Sequence, residues 1–422
     1  MIDMRNATVA ILVAAAGATI AGHHTARLTA AASSARVQAP SKEAIVPFKI
    51  NVPNAVLADL KDRLARTRFP SEIANSGWDY GTNLAYLKEL VTYWRTKYDW
   101  REQERQLNRL PQFKTTIDGV EIHFVHQRSS RPGATPLVFV HGWPGSFFEV
   151  TKIIGPLTEP TAHGGRPEDA FDVVAISLPG YGFSGKPTEP GYSNRRIASM
   201  IAQLMARLGY TRYGAQGGDW GGFIVRQLGL TDPAHLIGLH SNFCVVANLP
   251  GSNSNEGVPP EELRRIEGNR GRAMNETAYS QLQGTKPQTL GYSLNDSPAG
   301  LAAWIVEKFR TWSDSDGNVE KHFTKDELLT NIMIYWVTET GPSSVRLYYE
   351  NRKDPGLQGR VEVPSACARF PGEFLFNSSR KSVEASYNLQ QYTEMPRGGH
   401  FAALEEPGLL VEDVRKFFRG RR

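Results

Sequence analysis

The sequence predicts an α/β fold built on a mainly parallel sheet, and three observations carry that prediction. Short apolar runs at residues 137–140 (LVFV) and 173–178 alternate with helical stretches, and each run reads as a buried strand. Gly217-Gly218-Asp219-Trp220-Gly221 has the small-x-nucleophile-x-small form of a sharp strand-to-helix elbow, which presents one side chain above a sheet. His400 stands on a Gly-rich loop, Arg397-Gly398-Gly399-His400-Phe401, just before the final helical stretch at 407–418.

In chain order, residues 47–110 read as helical and aromatic-rich. Leu57, Leu60 and Leu64 recur at helical spacing until Pro70 ends the run, and 84–100 forms a second helix with an apolar stripe. Ile117-Asp118-Gly119-Val120 predicts a hairpin turn leading into a strand at 121–126. The strand at 137–140 ends in His141-Gly142-Trp143-Pro144-Gly145-Ser146, and the strand at 173–178 ends in Pro179-Gly180-Tyr181-Gly182-Phe183-Ser184. A helix at 196–208 precedes the strand into Asp219, and 236–246 is the next strand. Residues 248–275, rich in Pro, Gly, Ser and Asn, leave the core; helices at 298–312 and 325–336 follow, and a strand returns at 361–370. The expected division is a signal-like or anchor segment at 1–40, an N-terminal domain at 41–130, core at 131–245, an inserted cap at 246–340 and core again at 341–422. No internal repeat of fixed period is present.

With 422 residues, 40% of them hydrophobic, the chain can bury one large core or two smaller ones. The net charge of +5 is spread along the chain apart from a basic end at Lys416, Arg419, Arg421 and Arg422, which reads as a solvated tail; no nucleic-acid partner is expected. Cys244 and Cys367 match no zinc or redox spacing and are expected to be buried and unpaired, a single disulfide being the alternative. Residues 7–22 are an uncharged, Ala-rich run after Arg5, which predicts an export signal or short membrane anchor, with a disordered tail as the alternative. His23-His24 is a lone pair and marks no metal site.

An aspartate at the elbow, where esterases carry serine, sets the chemistry. A carboxylate attacks saturated carbon and leaves an alkyl ester, which water must then cleave. That second step needs a base, and His400 stands where the fold places one. The acid that orients the base should lie between the two at a strand end. Glu373, in Phe370-Pro371-Gly372-Glu373-Phe374, fits; Glu350, Asp354 and Glu362 compete on order alone.

PFKINVP, RLARTRFP, HGWPGS, LPGYGFS, QGGDWGG, TKPQTLGYSLNDSPAGLAAWIVEKF, VRLYYEN, FPGEF and GGHFAALEEP occur in this order from about residue 45 to the end. With them the chain resembles the microsomal-type epoxide hydrolases. The resemblance implies an α/β-hydrolase fold with an inserted α-helical cap and an N-terminal helical and meander domain wrapping around it. It implies Asp219 as nucleophile, His400 as proton acceptor and Glu373 as charge-relay acid. Tyr348 and Tyr279 would donate protons to the epoxide oxygen, Tyr349 being the neighbouring competitor, and the backbone N–H groups of Trp143 and Trp220 would form an oxyanion hole. His141-Gly142 is read as a turn determinant. No metal or organic cofactor is implied, and the partners are a small epoxide and water. The rival enzyme is a hydrolytic haloalkane dehalogenase: Trp220 suits a halide cradle, but Trp143 stands where many dehalogenases carry Asn or Glu, and the tyrosines would have no role. A binding protein that keeps the pocket without turnover is a third reading. The N-terminus departs from the family, whose membrane-bound members have a longer, more apolar anchor.

Overall fold

A nine-stranded sheet organises the computed structural model, which describes residues 43–247, 255–375 and 378–421. The strands are β1 (Val46–Phe48), β2 (Gln112–Ile117), β3 (Val120–Gln127), β4 (Thr135–Val140), β5 (Phe171–Ile176), β6 (Tyr213–Gly217), β7 (Leu236–Ser241), β8 (Val361–Arg369) and β9 (Tyr387–Glu394). Their order is β1-β2-β3-β5-β4-β6-β7-β8-β9. β1, β2, β3 and β5 pair antiparallel in turn, and every pairing from β5 through β9 is parallel. This is the α/β-hydrolase sheet with one extra edge strand, β1. The β2–β3 hairpin turns at Asp118 and Gly119, whose φ of 51° and 80° suit a tight two-residue turn.

Helices Asn194–Arg207, Trp220–Thr231 and Pro407–Phe418 cover the sheet. The last packs so closely that a Cβ on Gly214 of β6 would lie 2.5 Å from the Phe418 ring. After β7 the described residues leave the sheet and return to it at β8. Between them lie helices Pro260–Asn275, Ala278–Thr285, Pro287–Asp296, Pro298–Trp312, Lys325–Val337 and Gly341–Lys353. These form the cap. The N-terminal helices Asn54–Ala65 and Leu84–Thr96 brace it by packing on Pro298–Trp312. The Tyr93 hydroxyl donates to Asp326 at 2.9 Å and the Tyr98 hydroxyl meets Thr330 at 3.1 Å.

The segment expected as the N-terminal domain shares the main sheet: it contributes β1, β2 and β3, and Ser41–Arg422 is one compact unit. Other expectations are corrected. The single helix expected over 84–100 breaks after Thr96, because the Asp99 carboxylate caps a new helix, Trp100–Leu107, accepting from the Arg101 and Glu102 N–H groups. β7 stops at Ser241, short of 246, since the Phe243 N–H turns back onto the Ser241 hydroxyl at 3.0 Å. The cap runs past 340, because Gly341–Lys353 packs against Ala278–Thr285 and Pro287–Asp296. Cys244 and Cys367 are joined in a disulfide. Cys367 lies opposite Ser241 in the β7–β8 register, which brings together two cysteines separated by 123 positions in sequence.

The apolar run at 7–22 and His23-His24 lie outside the described residues. Among the described residues no helix is long and apolar enough to cross a membrane.

Candidate active site

Asp219 sits between β6 and the helix Trp220–Thr231 with φ 48° and ψ −126°, a backbone conformation that side-chain-bearing residues rarely adopt. The glycines around it make the turn possible. A Cβ on Gly217 would lie 2.5 Å from the Gly221 backbone, and one on Gly221 would run into the Val140 carbonyl of β4. The elbow is thereby pressed against the C-terminal end of β4. There the Trp143 N–H donates to Asp219 Oδ1 at 2.7 Å. Trp220 opens the helix, so its N–H is one of the groups without an intrahelical acceptor. His141 is structural: burial lowers it to about 4, and its neutral ring bridges the Gly142 carbonyl (2.9 Å) and the Leu178 N–H (3.2 Å). A Cβ on Gly142 would collide with the Asp219 carboxylate, so the residue is fixed by close approach.

His400 follows β9 on a loop held by its own N–H, which donates to the Trp312 carbonyl at 2.9 Å. Its Nδ1 lies 2.5 Å from Glu373 Oε2 and its Nε2 lies 3.5 Å from Asp219 Oδ2. Glu373 Oε1 is occupied by the Leu375 N–H at 2.8 Å. Histidine and glutamate are both 5% exposed. Burial alone would depress the imidazole; the Glu373 and Asp219 carboxylates outweigh it and hold His400 well above its ordinary value. The three acids that competed on order are engaged elsewhere. Glu350 accepts the Gly191 N–H at 2.7 Å, Asp354 accepts the Ser193 hydroxyl at 2.8 Å, and Glu362 is 73% exposed beside Arg360.

Tyr279 and Tyr348 reach the site from cap helices Ala278–Thr285 and Gly341–Lys353, with ring centroids 5.7 Å apart. Tyr279 stacks on Trp143 at 5.3 Å, and Tyr348 meets Trp220 in a T-shaped contact at 4.7 Å. Burial first, and the Asp219 charge in addition, push both phenols above their usual value, so both keep their protons at neutral pH. Tyr349, by contrast, is 37% exposed. A cavity of about 470 Å³ runs between sheet and cap, lined by Asp219, Trp220, Phe223, Phe243, Tyr279 and Tyr348.

The structure therefore brings Asp219, His400, Glu373, Tyr279, Tyr348, Trp143 and Trp220 to one place. It also brings a residue the sequence reading passed over. Glu149 is half-buried, and burial pushes its carboxyl up to about 8, against a downward pull from His400. Its only mark in the sequence is its place shortly after HGWPGS. Among the described residues no group of three or more His, Cys, Asp or Glu is arranged to hold a metal ion.

Sheet order, elbow and the histidine–carboxylate pair define an α/β hydrolase whose elbow residue is an acid. Comparison with known proteins narrows the class. Residues 45–150 match the family described as epoxide hydrolase N terminus, and residues 135–242 match the alpha/beta hydrolase fold. The chain is 41% identical over 412 residues to epoxide hydrolase 1 of Sus scrofa, covering 90% of each protein. Its structure is similar to that of juvenile hormone epoxide hydrolase from the silkworm Bombyx mori, with a TM-score of 0.84 at 34% identity over 89% of this chain and 94% of that one. It is also similar to Aspergillus niger epoxide hydrolase, with a TM-score of 0.81 at 32% identity over 90% and 97%. The chain belongs to the microsomal-type epoxide hydrolase family.

Proposed function

We propose that this enzyme converts an epoxide and water to a vicinal diol in two steps, through a hydroxyalkyl ester on Asp219. The observation that carries the reading is the division of labour at the Asp219 carboxylate. Trp143 holds Oδ1 at 2.7 Å, His400 Nε2 lies 3.5 Å from Oδ2, and two protonated phenols line the same cavity as Asp219. Oδ2 attacks the less hindered ring carbon while Tyr348 and Tyr279 donate hydrogen bonds to the departing oxygen, where negative charge develops. His400, oriented by Glu373, then takes a proton from water. The water oxygen adds to the ester carbonyl, and the resulting oxyanion is met by the N–H groups of Trp143 and Trp220. None of these steps calls on a metal or organic cofactor.

A haloalkane dehalogenase would share the aspartate and histidine but leaves the two tyrosines without work, and the named relatives are epoxide hydrolases. It has the weaker support.

The decisive experiment is a single turnover of excess enzyme with styrene oxide in ¹⁸O-water, followed by mass mapping. The two-step route puts label into the Asp219 peptide and unlabelled oxygen into the diol. Label passing straight into the diol, with Asp219 unlabelled, would refute it. Asp219→Asn should form no ester, and His400→Gln should trap one.

We also propose that the chain is exported or anchored through its first 40 residues. The Cys244–Cys367 disulfide supports this, since disulfides persist mainly in oxidising compartments. Fractionation of the producing cells, with N-terminal sequencing of the mature protein, tests it; recovery of uncleaved enzyme in the soluble cytosol would count against it.

A further inference from the structure

Glu149 lies on the short 3-10 helix Phe147–Lys152, directly after the segment whose Trp143 N–H holds Asp219. Its Oε1 fills the space that a Cβ on Gly145 would need, so the carboxyl folds back over the HGWPGS turn. It is not committed to its nearest cation in sequence: Lys152 pairs with Glu327 at 2.7 Å and donates to the Leu404 carbonyl at 3.0 Å. An acid in the first turn of a helix is ordinarily stabilised in its charged form by the free N–H groups there. Glu149 goes the other way. Burial raises it to about 8, and the charged groups it feels are His400 and Asp219. Tyr335, which donates to the Gly145 carbonyl at 2.5 Å, is a further titratable side chain that feels this carboxyl. The carboxyl thus senses the charge of both residues between which the second-step water must stand, and its helix follows directly on the turn that holds Asp219.

We propose that Glu149 holds the attacking water of the ester-hydrolysis step, accepting a hydrogen bond from it while His400 removes its other proton. The inference rests on the two-step reading above. The water oxygen bonds to the Asp219 carbonyl carbon; one hydrogen passes to His400 Nε2 and the other stays on that oxygen, directed at Glu149. Collapse breaks the bond between that carbon and the substrate oxygen. The leaving alkoxide takes the proton from His400. Asp219, left as the acid, returns its proton to the site, replacing the one that the opened ring took. Glu149 gives up and gains nothing in the cycle; its contribution is position.

The test resolves the two steps in the full chain with styrene oxide, reading ester formation from the fluorescence of the tryptophans beside Asp219 and ester decay by quench and mass analysis. Glu149→Ala should form ester at a rate within about twofold of the parent and lose it roughly ten- to a hundredfold more slowly. Glu149→Gln, whose amide oxygen can accept the same hydrogen bond, should recover most of the decay rate. That rescue is not expected of a residue that only shapes the turn. Gly145→Ala leaves Glu149 in place but displaces its carboxyl, and should reproduce the slow decay; it also decides the matter if Glu149→Ala fails to fold. Ester decay at the parent rate in Gly145→Ala and Glu149→Ala, or a Gln variant as slow as the Ala variant, overturns the proposal. Absence of ester even in His400→Gln would instead overturn the two-step reading and this proposal with it.

Discussion

Replacing Glu373 with glutamine tests the relay at the level of a single proton. Glu373 Oε1 accepts the Leu375 N–H at 2.8 Å, and Oε2 meets His400 Nδ1 at 2.5 Å. In Glu373→Gln the backbone N–H keeps the amide oxygen at the first position, because two donors cannot face each other. The NH₂ must then take the second position and donate to Nδ1. That forces the ring proton onto Nε2, the nitrogen 3.5 Å from Asp219 that has to accept a proton from water. The base is not merely loosened; it is set in the wrong tautomer. An equivalent acid-to-amide change in a serine-protease triad costs about 10⁴-fold. Ester decay in Glu373→Gln should therefore slow by about 10³- to 10⁴-fold, equivalent to about 4–5.5 kcal/mol of barrier. Ester formation uses the Asp219 carboxylate and the tyrosines and should change far less. Burst analysis separates the steps: the variant should show a full burst of enzyme-bound ester followed by almost no diol. Glu373→Asp keeps the charge but shortens the reach, and should fall between variant and parent. Ester decay within tenfold of the parent in Glu373→Gln would refute the tautomer argument.

Removing one phenolic donor, in Tyr348→Phe or Tyr279→Phe, should slow ester formation by roughly 10²-fold, with the double variant lower still; equal slowing of ester decay would contradict their assignment to the first step. Replacing Cys244 and Cys367 with serine together opens a loop of 123 residues and should cost about 2–5 kcal/mol by denaturant titration; an unchanged midpoint would show that the bond contributes nothing to stability. Glu149 has a folded-state value raised to about 8 against about 4.3 for a free glutamate, so folding favours its protonated form. The stability it contributes is full below about 4.3 and is lost as pH rises towards about 8. Glu149→Gln should accordingly gain melting temperature over the parent at pH 9 but not at pH 4; the same difference at both would refute it.

Local features were legible in the sequence because local sterics dictate them. The Asp118-Gly119 turn needs positive φ twice, and the elbow needs small residues where β4 and the following helix touch it. The Pro298–Trp312 helix coincides with its apolar periodicity. What escaped depended on partners distant in sequence. Glu373 could not be separated from Glu350, Asp354 or Glu362 by order, since the distinction is which carboxylate β8 delivers to His400. β9 is an edge strand of largely half-exposed polar residues and shows no apolar run to reveal it. The disulfide depends on β7–β8 register, and the end of the cap on which helices Gly341–Lys353 touches. Glu149 escaped for another reason: a lone glutamate in a helical first turn looks solvated until the fold closes over it.

The charge on His400 poses a problem that the two-step route resolves. In the free enzyme the Glu373 and Asp219 carboxylates hold the imidazole well above its ordinary value, which favours the protonated ring, the form that cannot act as a base. Alkylation converts Asp219 from a carboxylate to a neutral ester. One of the two charges that raised His400 disappears, while burial, which lowers it, remains. The ring therefore yields its proton more readily to the phenolate left by ring opening, at the moment a base is required. The same logic protects the first step, since a protonated His400 cannot draw a proton from water before an ester exists to be attacked. A direct check follows by titrating His400 with NMR in the free enzyme and in Asp219→Asn, which mimics the neutral state. Its value should fall in the variant; no change would mean that Glu373 alone sets it and that the nucleophile does not gate its own release.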